Sequence, residues 1–411
     1  MLKKNLLFFI FVFDFLFSQP SQIKVGADKI INEEKYLIEG KNIGVITNHT
    51  ALLSTGEHLI DELQKLENVK IAALFGPEHG IRGLTFEGNI KDSIDEKTGI
   101  PIFSLYGNQN KPSAEKLKNI DLLLFDIQDV GARFYTYLST MILSIEAAAE
   151  NNIPIIILDR PNPIRGTVVD GPLMIDSLKS FVGIIPIPIQ HGMTLGELAI
   201  LANNSGFLKN NIKANLTVVK VDGWRRSMWY DETNLNWLQL SPNMKTMKTA
   251  AIYPGLCLIE GTNVSEGRGT ENPFETIGAP WIDSEKFATE LNSLKLSGVK
   301  FVPKSYTPID NSGISNATKY NGEACNGVFI QVTRRNLFQP IKTGIAVLTI
   351  LQKMYPSEFK FSNKRFDRLA GNSFVREGIL KGSDYLKISN KWKNEVDNFA
   401  KLRNKFLLYK D

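Results

Sequence analysis

The strongest constraint on this chain is a rhythm. Over residues 41–158, short apolar runs alternate with amphipathic segments, the pattern of βα units built around a mostly parallel sheet. Residues 44–47, 71–75, 122–125 and 155–158 are the buried-strand candidates, and 102–106 is a further one. Between them, residues 57–66 and 134–150 carry apolar side chains at helical spacing. The pattern predicts an α/β fold with a Rossmann-like, doubly wound domain over residues 21–222. Residues 169–191 interrupt it with a Pro- and Gly-rich, extended passage; a helix at 194–202 and a strand at 216–221 resume it. Past Trp224 short strands, Gly-rich loops and an amphipathic stretch at 385–408 predict a smaller α+β domain over residues 223–411.

Composition narrows the classes. The 411 residues are 43% hydrophobic and 22% charged, enough for a large core. The net charge of +5 is not gathered into basic runs with interleaved aromatics, so nucleic acid is not an expected partner. Lys3 and Lys4 precede an apolar stretch from Leu6 to Phe17, broken only by Asp14 and followed by Ser18-Gln19-Pro20. Residues 1–20 therefore read as a signal peptide, with an uncleaved anchor as the alternative. A periplasmic or secreted protein without stable membrane insertion is expected. Cys257 and Cys325 lie far from the leader, which argues against lipid anchoring there; one disulfide or two buried thiols remain open.

In an open parallel sheet, ligands bind beyond the carboxyl ends of the strands. Here the strands empty into Asn48-His49-Thr50, Gly76-Pro77-Glu78-His79-Gly80, a segment from Asp126 through Gln128, Asp129 and Arg133 to Tyr135, and Asp159-Arg160-Pro161-Asn162-Pro163. Any one cluster is compatible with ordinary caps and turns. Four at one sheet edge argue for a site. No G-x-G-x-x-G follows a strand and no P-loop exists, so the chemistry is not that of a nucleotide.

Glu78, held between Pro77 and two glycines, is the candidate general acid, because cleaving a glycosidic bond requires a proton for the departing oxygen. Asp126 and Asp129, then Asp170, are candidates for the second carboxylate; a participating substrate acetamido group would remove the need for one. Residues 255–274 form a glycine-dense passage with Glu260, Asn263, Glu266, Arg268 and Glu271, read as a substrate-covering loop. Trp224, Trp229, Tyr230 and Trp281 are available to stack on sugar rings, with the core as their alternative place. Arg82, Arg133 and Arg268 offer forks for a ligand carboxylate. His49, His79 and Asp126 provide a zinc alternative without a specific spacing, and no H-E-x-x-H or G-x-S-x-G motif occurs. A non-catalytic sugar or muropeptide binder, and an esterase or amidase, are the competing classes.

Taken together, the motifs resemble a known family. The strand-end clusters, His191-Gly192-Met193-Thr194-Leu195-Gly196-Glu197, Ser241-Pro242-Asn243-Met244, Glu260-Gly261-Thr262-Asn263-Val264-Ser265-Glu266-Gly267-Arg268-Gly269-Thr270 and Asp367-Arg368-Leu369-Ala370-Gly371 follow in order the pattern of the exo-β-N-acetylmuramidases. The resemblance implies a Rossmann-like catalytic domain partly covered by a C-terminal one. It also implies release of terminal N-acetylmuramic acid from the non-reducing ends of peptidoglycan fragments, in cell-wall recycling. No cofactor or metal is expected. Glu78 falls in the acidic motif; Asp126 and Asp129 are the other catalytic candidates. Asn48, His79, Arg82, Gln128, Arg133, Tyr135, Asp159, Asn162, His191, Glu260, Asn263, Glu266 and Arg268 are the expected substrate-binding set. His49 departs from the pattern, which has an apolar or proline residue there.

Overall fold

The computed structural model describes residues 23–82, 91–107, 109–310 and 318–411. The leader read at residues 1–20 lies outside them. In chain order the first unit runs α1 (Gly26–Asn32), β1 (Lys41–Thr47), α2 (Leu59–Leu63), β2 (Val69–Gly76), β3 (Ser93–Ile94), β4 (Pro101–Ser104), α3 (Ala114–Leu117), β5 (Leu122–Asp126), α4 (Thr136–Glu150) and β6 (Ile155–Leu158). It continues with β7 (Asp170–Leu173), β8 (Pro188–Gln190), α5 (Leu195–Asn204) and β9 (Leu216–Val219). A seven-stranded sheet has the order β3-β4-β2-β1-β5-β6-β9, parallel apart from the antiparallel edge strand β3. Every side chain of β5 and β6 is buried, as expected of central parallel strands covered on both faces. The expected α/β sheet is therefore present, and its crossover order brings β2, β1, β5 and β6 side by side.

The second unit comprises α6 (Met247–Leu256), β10 (Thr276–Ala279), α7 (Ser284–Ser293), β11 (Val299–Tyr306), β12 (Cys325–Val332), α8 (Pro340–Met354), α9 (Asn363–Ala370), α10 (Phe374–Leu380), α11 (Tyr385–Ser389) and α12 (Lys393–Arg403). Its three strands form an antiparallel sheet in the order β10-β12-β11. One detail differs from the sequence reading. Gly255 belongs to α6, not to a loop, and a 3-10 turn over Cys257–Gly261 follows it. A Cβ on Gly255 would stand 1.8 Å from the Pro340 carbonyl oxygen, so glycine here permits α6 and α8 to touch backbone to backbone. The amphipathic stretch at 385–408 holds two helices separated by a 3-10 turn over Asn390–Trp392.

The chain end returns to the first sheet. Arg403 Nη1 donates to the carbonyls of Gly166 (2.9 Å) and Gly192 (2.6 Å), and the Leu408 amide donates to Glu197 (2.8 Å). Tyr409 donates its hydroxyl proton to Asp159 (2.6 Å) and accepts from the Val221 amide (3.0 Å). Cys257 and Cys325 are both buried free thiols. No helix among the described residues is long and apolar enough to cross a membrane.

Candidate active site

The parallel β2 and β1 deliver the loop after Gly76 to one wall of a cavity of about 280 Å³. Glu78 lines it, together with His79, Tyr106, the segment from Phe134 to Tyr137, Phe181, residues 241–244, Tyr253, Cys257, Glu260, Arg268, Phe274, Arg365 and Leu369. Glu78 is half-buried, and its Oε2 accepts a 2.7 Å hydrogen bond from the hydroxyl of Thr136, the first residue of α4. A turn closed by the Gly80 amide on the Pro77 carbonyl (3.0 Å) holds the carboxyl in place. His79 in that turn has φ 72°, and Phe274 on the wall has φ 63°. Left-handed backbone at non-glycine residues is costly and gathers where a site demands it.

The walls are aromatic. Tyr135 meets Tyr137 edge-on with ring centroids 4.9 Å apart, Tyr253 meets Phe274 at 4.9 Å, and Phe134 meets Tyr253 at 5.2 Å. Such interlocked rings present apolar faces in fixed orientations. Burial raises the Tyr135 phenol well above its ordinary range, so its hydroxyl keeps its proton as a donor.

The second unit brings charge. Glu260, in the 3-10 turn, accepts from Arg268 Nη2 at Oε1 and from Arg365 Nη2 at Oε2, both at 2.8 Å. Burial alone would raise this carboxyl, but the two guanidiniums outweigh it and hold Glu260 down at about 2. Behind it Glu266 pairs with Arg268 (3.2 Å) and Lys319 (2.8 Å).

The remaining expected site residues divide. Glu78, His79, Tyr135, Glu260 and Arg268 converge on the cavity. Asp126 does not: it is fully buried and binds Arg160 through both oxygens (2.5 and 2.8 Å). Asp129 is also outside the cavity lining; its Oδ2 accepts from the Gly131 amide (2.7 Å), and burial pushes its carboxyl up to about 7. It is close enough for its charge to raise the phenols of Tyr135 and Tyr137. Asn48 accepts from the Thr50 amide and hydroxyl, and Gln128 donates to the carbonyls of Asp129 and Pro161. Asp159 accepts from Thr194, Gly196 and Tyr409, and so fixes the start of α5 and the chain end. Asn162 braces Met193 and Ile164.

Three expected carboxylate forks include two that serve the backbone or a neighbour. Arg133 is wholly buried and donates to the carbonyls of Pro172, Ile187 and Leu369; Arg82 grips Asp95. His191 is buried and accepts from the Met193 amide, with burial and the Arg403 and Arg133 charges lowering it to about 3. Asn263 ties the Glu358 carbonyl to the Lys360 amide, and Glu266 sits behind the wall. His49 bonds the Gln239 carbonyl (2.8 Å). Trp224 meets Tyr409 edge-on, Trp229 is buried under Arg335, and Trp281 packs on Tyr355. Tyr230 packs on Trp237, so the ring-bearing wall is built from other aromatics.

Arg365 and Thr136 are the contributors that reading the sequence missed. Thr136 follows Tyr135 directly and has the helix-starting position as its signal. Arg365 stands in Asn363-Lys364-Arg365-Phe366-Asp367, which carries only the pattern of a surface helix.

A parallel sheet that delivers a carboxyl into a polar, aromatic-walled cavity under a second α+β unit has the arrangement of an α/β enzyme site. Residues 43–248 match the family described as exo-β-N-acetylmuramidase NamZ, N-terminal, and residues 251–409 match its C-terminal counterpart. The peptidoglycan β-N-acetylmuramidase NamZ of Bacillus subtilis is 45% identical over 394 residues, covering 95% of this chain and 92% of the relative. A crystal structure of a DUF1343 family protein from Bacteroides fragilis superposes with a TM-score of 0.88 at 36% identity, covering 95% of this chain and 99% of that one. A second from the same organism has a TM-score of 0.78 at 35% identity, covering 95% and 100%. The chain belongs to the exo-β-N-acetylmuramidase family.

Proposed function

We propose that this protein removes terminal N-acetylmuramic acid from the non-reducing ends of peptidoglycan fragments, with Glu78 as the general acid. The observation that carries the reading is Glu78 itself: a carboxyl oriented by Thr136 at 2.7 Å, facing a cavity walled by tyrosine and phenylalanine rings. The B. subtilis relative's activity supports the substrate class. In this mechanism Glu78 protonates the departing glycosidic oxygen as the bond to the anomeric carbon lengthens and positive charge builds on the sugar ring. Among the described residues the cavity's other carboxylate is Glu260, locked between two guanidiniums and held as an anion near a pKa of 2. A locked anion is a poor base, which favours assistance from the substrate's own 2-acetamido group. The leader-like N-terminus and a wall-derived substrate support a periplasmic or secreted place of action.

The test is incubation of the purified protein with N-acetylmuramyl-β-1,4-N-acetylglucosamine, with and without chelator, and mass analysis of the products. Free N-acetylmuramic acid in both arms is expected. Disaccharide bound but untouched would instead identify a receptor. Glu78→Gln should lower turnover of the disaccharide about 10²- to 10⁴-fold, with a smaller loss on an aryl glycoside whose leaving group needs no proton. Unchanged turnover of the disaccharide by this variant would sink the assignment.

A further inference from the structure

We propose that Arg365 forms an anion subsite in this cavity and that its ligand is the 3-O-lactyl carboxylate, the group that distinguishes a terminal muramic acid from other N-acetylhexosamines. The inference rests on the proposed substrate class and adds how the terminal sugar is selected. Three cations, Arg268, Arg365 and Lys319, surround two carboxylates, Glu260 and Glu266. One positive charge is in excess. Side-chain exposure says which residue presents it: 14% for Arg268 and 21% for Lys319, but 48% for Arg365.

Arg365 reaches Glu260 through one of the two N–H groups of Nη2, which leaves the other, paired with Nε or Nη1, as a two-donor edge on a guanidinium that lines the cavity. A guanidinium edge and a carboxylate are matched in both charge and spacing. Glu260 does not fill that edge: it meets Arg365 through Oε2 alone, while its Oε1 faces Arg268. The arginine is also held in place from behind. Its helix α9 lies directly on the 3-10 turn: a Cβ on Gly261 would stand 2.6 Å from Phe366 Cα, and the Ser362 amide donates to the Gly261 carbonyl at 2.8 Å. Glu260 and Arg365 therefore move as one piece, and that piece shares the cavity with Glu78. In a pyranose, C3 stands two ring bonds from the anomeric carbon, so its lactyl substituent reaches a part of the cavity away from the departing glycosidic oxygen. A terminal sugar with its anomeric carbon at Glu78 and its lactyl group at Arg365 uses both groups at once.

A corollary concerns the peptide stem. Where a stem is attached, the lactyl carboxyl has become an amide and its charge is gone, so stem-free ends should be preferred. The experiment uses the full chain and measures both affinity and turnover. Titrations employ the Glu78→Gln variant, so that ligand is not consumed, against the disaccharide acid, its lactyl amide and its lactyl-L-alanine form, which carries a carboxylate further out. The acid should bind roughly 10- to 100-fold more tightly than the amide, the range expected for one charge-assisted pair. If the alanine form matches the acid, the subsite reads a stem carboxylate and the lactyl assignment is overturned.

Arg365→Met should raise KM for the acid by the same factor with little change for the amide, and Arg365→Lys should recover part of the loss. Equal affinity of acid and amide would overturn the proposal without needing any substitution at Arg365. Absence of free N-acetylmuramic acid from the wild-type reaction would instead sink the proposed reaction while the titrations still decide the subsite.

Discussion

Asp126 and Asp129 stand three residues apart, both buried, and differ in what meets their charge. Asp126 faces Arg160 through two hydrogen bonds, whereas Asp129 accepts from the Gly131 amide. Removing the Asp126 charge would leave a buried guanidinium uncompensated, so Asp126→Asn should cost about 3–5 kcal/mol in urea unfolding. Asp129 has a different signature. Its carboxyl is raised from 3.8 to about 7 in the folded protein, so the unfolded chain releases this proton first as pH rises. Its contribution to stability is then full below about pH 4 and is lost progressively up to pH 7, on the order of 4 kcal/mol in total. Asp129→Asn should flatten the stability profile between pH 4 and 7 relative to wild type, because the amide oxygen still accepts from Gly131 and nothing titrates. A variant whose profile follows the wild-type slope would show that Asp129 is not the group responsible. Both aspartates attract attention in the sequence because they follow a strand; only their partners show that one is a structural ion and the other a carboxyl behind the tyrosine wall.

Among the elements, α9 joins stability to the site. Its packing on the Cys257–Gly261 turn depends on the absence of a side chain at Gly261, where the neighbour is the Phe366 backbone, which cannot rotate away. Gly261→Ala should therefore cost about 1–3 kcal/mol by overpacking and, by shifting α9, raise KM for the lactyl acid more than for its amide. A thermal melt and a pair of KM values check both halves. The strands of the first sheet were legible because apolar runs of Leu, Ile and Val leave few alternatives to a buried parallel strand. The helices of the second unit were less so. Gly255 heads the glycine-dense passage read as a loop, yet α6 runs through it because the adjoining α8 supplies a close backbone contact that only glycine admits.

At the scale of the molecule, the chain end completes the first unit. Tyr409 bonds both Asp159 and the Val221 amide, Arg403 bonds two carbonyls of the 166–192 passage, and Arg133 reaches the last turn of α9 at Leu369. Contacts that cross between units in both directions couple their unfolding. Denaturation followed by near- and far-ultraviolet dichroism should give coincident single transitions. Tyr409→Phe, which removes a buried hydroxyl from Asp159, should lower the midpoint by an amount equivalent to about 1–3 kcal/mol. Two separated transitions in the wild type would show that these ties do not couple the units.

What the sequence determined by itself was the parallel sheet, the edge at which polar residues gather, and Glu78 as a carboxyl held in a Gly- and Pro-bounded turn there. Those features are local: hydrophobic period, turn chemistry and position after a strand are written in consecutive residues. Tertiary structure decided which polar residues face the cavity. Arg133, Asp159 and Asn162 look as functional in the sequence as Glu78, yet they bond groups that the fold brings from far along the chain, and His191 turns back to the Met193 amide beside it. Arg365 shows the converse. It lies 105 residues from the Glu260 it pairs with, and a guanidinium on a surface-like helix becomes part of a site only when folding carries that helix over the cavity.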